Sequence, residues 1–129
     1  MDRNEVIRYI AETYGAQPEY LWSDSPDACI FRHGDNRKWF AIIQNVQRSK
    51  LGLPGEGSAD LMNMKCGPLL GGSFAGKRGI LPAWHMNKTH WIGALLDGTA
   101  AETDIRELLD LSFSLTGKKE RPKKNKMNI

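Results

Sequence analysis

A chain of 129 residues, 40% hydrophobic and 26% charged, has the makeup of one folded domain with a single core and is too short for two. Its net charge is only +3, and no apolar run approaches the ~20 residues of a bilayer-spanning helix, which excludes an integral helical membrane protein. The polar opening segment does not read as a signal peptide, so the expected location is the cytoplasm.

The first helix starts at Asp2, with Glu5 three residues on as in a capping box. Val6, Ile7, Ile10, Ala11 and Tyr14 then recur at helical spacing, and Gly15 ends it. The pattern next turns to strands. Ala28 to His33 and Lys38 to Val46 flank the turn cluster Gly34-Asp35-Asn36, a hairpin by composition. Trp39 to Ile43 is apolar on both faces and belongs inside the sheet. A loop containing Gly52, Pro54, Gly55 and Gly57 leads to a third strand from Ala59 to Lys65. Pro68 to Phe74 reads as a short helix opened by proline.

A closing hairpin follows, Gly79 to Met86 with His90 to Leu96, in which Pro82 argues for an edge strand or a bulge. In the last helix Thr99 with Glu102 suits a cap; Ile105, Leu108, Leu109, Ser112 and Leu115 form the inward stripe, and Gly117 stops it. The predicted fold class is α+β, an antiparallel sheet with packed helices in the order αβββαββα. Residues 1–117 form the domain, and 118–129 form a basic tail with too little apolar surface to fold alone, expected to be disordered.

Charge is divided unevenly along this order. The tail holds six bases against Glu120, which raises the pI to about 9.0. Within the domain, residues 1–27 and 97–117 each sum to −4, while residues 28–96 sum to +6. A basic middle between acidic flanks can draw a polyanion to one face without a high total charge.

The chemistry-bearing residues concentrate in Pro82-Ala83-Trp84-His85-Met86-Asn87-Lys88-Thr89-His90-Trp91, a hairpin tip with two histidines, an amide, an ammonium and two indoles. Phosphate contact requires Lys or Arg on rigid elements, which points to Lys38, Lys65, Lys77, Arg78 and Lys88. His85, Asn87 and His90 suit contacts to bases or sugars, and indoles at Trp84 and Trp91 can stack on bases, although an indole on a strand is more often core.

Other chemistries find little support. Gly71 to Arg78 resembles a Walker A loop but has Arg78 where the magnesium-binding hydroxyl belongs, with no parallel strand before it. His85 and His90 lack the further ligands a metal needs, Cys29 and Cys66 lack CxxC spacing and read as reduced, buried thiols, and no serine lies in GxSxG. Neither cofactor, metal nor catalysis is expected.

These residues together resemble the MmcQ/YjbR family. The resemblance rests on Lys38-Trp39-Phe40-Ala41, on Leu61-Met62-Asn63-Met64-Lys65-Cys66 with Gly67-Pro68, on Leu96-Asp97-Gly98, and above all on the HMNK-x-HW piece from His85 to Trp91. Met64 stands where the family usually has leucine, and Gly67 where an acidic residue is common. The resemblance implies a CyaY-like (frataxin-like) fold and DNA binding by two β-hairpin wings. Iron handling, as in frataxin, is disfavoured by the scattered acids Asp2, Glu5, Glu12 and Glu19 of the first helix and by the basic sheet segment. The expected function is DNA binding by a monomer through Lys38, Lys65, Lys77, Arg78, His85, Asn87, Lys88 and His90. The alternative is a protein- or small-ligand-binding module with a pocket around the HMNK-x-HW hairpin.

Overall fold

Local signals start the fold where the sequence places them. In the computed structural model, which describes residues 1–118, helix α1 (Arg3–Tyr14) opens on a complete capping box between Asp2 and Glu5 and closes on Gly15 in the left-handed conformation. Strands β1 (Cys29–Arg32), β2 (Trp39–Gln47) and β3 (Ser58–Lys65) follow, with a 3-10 turn at Arg48–Leu51 in the loop between β2 and β3. Then come α2 (Pro68–Phe74), β4 (Ile80–Pro82), β5 (Trp91–Leu95) and α3 (Glu102–Thr116). The class and order are those expected. From Lys119 on, the lysine-rich segment predicted as a tail lies outside the described residues.

The five strands form one antiparallel sheet in the order β1-β2-β3-β5-β4. β2, apolar on both faces, is flanked by β1 and β3, and Pro82 sits on edge strand β4, where a missing N–H costs no ladder bond. Helices cover one face, burying Val6, Ile10, Phe31, Met62, Met64 and Leu108 in the main core. Cys29 and Cys66 are free and buried, and burial pushes both thiols up from their ordinary range.

Three expectations need correction. The closing hairpin is shorter than predicted: β4 stops at Pro82 and β5 starts at Trp91, because the peptide groups of Trp84 bond to the Asn63 side chain instead of to β5. Thr99 does not cap α3. The cap is Ala101, and the Thr99 hydroxyl donates to Asp97 at 2.6 Å. Finally, Leu115 is exposed and Thr116 takes the inward position, its hydroxyl bonded to Nε2 of buried His33 at 2.9 Å and to the Ser112 carbonyl at 2.7 Å.

Between β1 and β2, Arg32 faces Trp39 and Phe31 faces Ala41, so Phe40 is an extra residue. This bulge turns Phe40 toward the helices, where its ring meets Tyr14, Phe113 and His33. Ser112, fully buried on α3, ties the irregular spot together: its hydroxyl donates to the Phe40 carbonyl at 2.5 Å and accepts from the Lys65 amide at 2.9 Å. The polar member of the inward stripe is thus the helix's fastener to β2 and β3.

Two predictions follow from these ties. Ser112→Ala orphans two strand peptide groups, and urea unfolding is expected to show a loss of about 2 kcal/mol. Asp60 on β3 accepts two bonds from Arg3 of α1, at 2.8 and 3.1 Å, and these hold its carboxyl below the usual carboxylate range. That stabilisation is complete above the unfolded value of about 3.9 and is lost as pH falls through the lower folded value. Asp60→Asn should therefore unfold at lower urea than the parent at pH 7, and the gap should close as pH falls from the unfolded value through the lower folded one.

Candidate nucleic-acid interface

Side chains alternate across a strand, so the register decides what stands on the sheet face away from the helices. The open face carries Ile30, Ile42, Leu61 and Leu95 toward its middle, and these need cover. The loop after β2, strand β4 and the segment after it supply the cover: Leu51, Leu53, Leu81 and Trp84 pack on Ala59, Leu61 and Leu95 as a second, smaller core. Gly93 lets Leu61 lie flat, since a Cβ there would stand 3.0 Å from a Leu61 methyl.

Asn63 holds that cover down. It is fully buried on the open face; its amide donates to the Trp84 carbonyl at 2.8 Å and to Gln44 at 3.3 Å, and its oxygen accepts the Trp84 N–H at 3.2 Å. Reasoning from the sequence missed this residue. The available signal was a lone amide in an otherwise apolar strand, which must find partners when buried.

The HMNK-x-HW stretch folds back on this clamp and is largely occupied with its own shape. His85 lies at φ 56 and stacks on Trp84, ring centroids 4.4 Å apart. The Asn87 side chain accepts from the Thr89 amide at 2.8 Å, and its carbonyl accepts from His90 and Trp91. Lys88 donates to the Ala83 carbonyl at 2.9 Å, and the His90 carbonyl accepts from Cys66 and Gly67.

The eight predicted contact residues divide among several places. Lys65 stands opposite Trp91 on the open face, at the end of the sheet where β1 stops at Arg32 and β2 begins at Trp39. Lys38 and His90 immediately precede Trp39 and Trp91, so they sit at this same end, and both are exposed. Lys77 and Arg78 lie in the turn before β4, beyond the opposite end, and Lys77 pairs with Asp104 of α3 at 3.2 Å. His85 reaches instead into an open-face cleft of about 530 Å³ with Trp22, Asp24, Asp27, Gln44 and Trp84. Lys88 lines a different cavity, of about 480 Å³, under α2. Asn87 lines neither.

One end of the sheet therefore carries Lys38, Lys65 and His90 with Trp39 and Trp91, while Trp22 meets the Trp39 ring edge-on at 5.9 Å. Arg32 is there too, but Glu19 neutralises it at 2.7 Å. Among the described residues, neither Lys38 nor Lys65 forms an ion pair. The β1–β2 tip at this end is fixed to the close of α3, with the Asn36 amide donating to the Thr116 carbonyl at 2.8 Å and the Asn36 oxygen accepting the Lys38 N–H at 2.9 Å. Lys118, where the lysine-rich segment begins, follows two residues later. No group of three or more metal-ligating side chains comes together among the described residues, and no helix there is long and apolar enough to cross a membrane.

Comparison with known proteins adds a lineage. The YjbR family model matches residues 11–115. The uncharacterized protein YyaQ of Bacillus subtilis is 39% identical over 116 residues, covering 90% of this chain and 98% of that one. A crystal structure of a Pseudomonas syringae protein superposes with a TM-score of 0.87 at 40% identity, covering 91% of this chain and all of the other. A Deinococcus radiodurans protein with a DUF419 domain shares the fold, with a TM-score of 0.65 at 20% identity over 99% of this chain and 88% of its own.

Asn63→Ala removes every side-chain bond that holds Trp84 to the sheet. The expected result is a loss of about 1–2 kcal/mol in urea unfolding, with faster amide exchange at Trp84 than at strand residues such as Met62.

Proposed function

The chain belongs to the YjbR family, and from the geometry of its sheet we propose that it binds DNA weakly through the end formed by Lys38, Lys65, His90, Trp39 and Trp91. The observation that carries this reading is the convergence of charge and stacking surface at one place. Lys65 and Trp91 are direct cross-strand partners, and Lys38 enters β2 beside them, just past a hairpin tip bonded to the α3 terminus. Lysines on paired strands keep their ammonium groups positioned for successive phosphates, and neighbouring indoles offer faces on which bases stack.

Both hairpin tips, residues 33–38 and 83–90, leave the sheet at this end, one on each side of β3, the disposition that two wings astride a nucleic acid require. Each is tied down, the first to Thr116 and the second to Asn63, so the contacts rest on rigid pieces. Of the acids near this end, Glu19 is paired with Arg32 and Asp35 accepts the Asn36 N–H within the first tip; Asp60 and Asp104 are paired on the helix side, and Asp24 and Asp27 border the separate cleft. Lys77 and Arg78 fall outside this surface, and Lys88 lines the cavity under α2 instead. The second reading, a small-ligand module, draws on the cavity that Lys88 and Trp91 line.

A salt titration of duplex binding by the full chain tests the proposal. Replacing Lys38 and Lys65 together by alanine should weaken binding to all sequences alike and flatten the slope of log K against log salt by about 1.8, the release of two phosphate contacts. Alanine at Lys123, Lys124 and Lys126 measures the contribution of the C-terminal segment separately. An unchanged slope in the Lys38/Lys65 variant would assign all binding to that segment and overturn the proposed interface.

A further inference from the structure

Helix α2 buries Phe74 in the main core but leaves both of its leucines outside. Pro68, Gly71, Gly72 and Ala75, spaced as one helical face, turn toward the sheet, while Leu69 and Leu70 are left 88% and 51% exposed. Burying a leucine is favourable, and two stand next to positions that could use them. The space under the small-residue face is instead a cavity of about 480 Å³, within the range of small-molecule sites. Its far wall is Ile80, Pro82, Trp91 and Ile92.

The two glycines have different reasons. A Cβ on Gly71 would stand 2.7 Å from the Cys66 sulfur, so close packing of α2 on the strand end requires glycine there. A Cβ on Gly72 would meet nothing within 4 Å, so packing does not require it, and the missing side chain leaves room. The lining is mostly apolar, with polar groups contributed by Lys88 and Thr89. Lys88 spends one N–H on the Ala83 carbonyl, leaving two donors of its ammonium for another acceptor.

We propose that this cavity binds a small amphipathic carboxylate, its apolar body between α2 and the β4–β5 ladder and its carboxylate on the Lys88 ammonium. An apolar chamber with a single cation in its wall favours such a molecule over a neutral hydrocarbon, which leaves the ammonium without an anion, and over a polyanion, whose remaining charges would be desolvated. The site shares Trp91 with the proposed DNA-binding end of the sheet, but neither Lys38 nor Lys65 lines it, so the failure of one proposal is distinguishable from the failure of the other.

The test uses naphthalene-2-carboxylate and its neutral carboxamide, with binding to the full chain followed by methyl NMR of Ile80, Leu81 and Ile92 and by calorimetry. The carboxylate should bind and shift those methyls. Gly72→Phe, which fills open space, and Ala75→Leu, which fills it from the next turn, should each weaken both probes by about tenfold or more while the fold persists by circular dichroism. Lys88→Met should cost the carboxylate about tenfold and leave the carboxamide unchanged. Absence of carboxylate binding, shifts confined to the Trp22–Trp84 cleft, or undiminished affinity in both filling variants would each overturn the site; equal weakening of both probes by Lys88→Met would overturn the role of the charge.

Discussion

Three helices can bury only one face of this sheet, and everything distinctive about the molecule follows from how the other face is covered. The main core lies under the helices, yet Leu61 and Leu95 point the opposite way. The chain answers with loops, and loops bring peptide groups that have no ladder to join. Asn63 resolves this by acting as a strand's worth of hydrogen bonding in one side chain, giving Trp84 both a donor and an acceptor. Because Trp84 is held there, the chain beyond β4 bends over the face instead of extending the hairpin. His85 and Lys88 are thereby sent to separate hollows.

Ser112 plays the matching role on the helical side. The Phe40 bulge and the end of β3 each leave a peptide group that a regular ladder would have used, and one hydroxyl serves both. Helix–sheet packing and the position of Lys65 are coupled through this contact, so the stability of the core and the placement of a proposed phosphate-binding lysine are not independent quantities. A polar atom on an inward helical stripe is costly unless its partners are waiting, and here they are.

Charge behaves differently in space than along the chain. The acidic opening segment supplies Glu19 to Arg32, and the acidic closing segment supplies Asp97 to Arg48 and Asp104 to Lys77, so much of the basic middle is neutralised across sequence boundaries. Asp60, an acid of the middle, is in turn matched by Arg3 of the opening helix. What survives at one end of the sheet is a smaller basic surface than the segment sums suggest, narrowed among the described residues to Arg37, Lys38 and Lys65. Exposed charges of this kind act mainly through phosphate attraction and are screened by salt.

Elements written in local chemistry were legible without coordinates: the Asp2–Glu5 capping box, the Gly34–Asn36 turn, proline opening α2, the doubly apolar run of β2, and Pro82 at an edge. Each depends on neighbours within a few positions, which periodicity and turn residues encode directly. The composition of the HMNK-x-HW stretch marked it as unusual, but not that its parts serve two hollows and a loop's internal bonds. Nor could spacing show that Thr116 displaces Leu115 from the core, since that choice is made by His33, 83 positions away. The sequence by itself determined the class, the order of elements and the resemblance. Only the tertiary structure decided which cations remain available and where the open face is closed, because those outcomes belong to contacts between residues far apart in the chain, whose pairing no local pattern records.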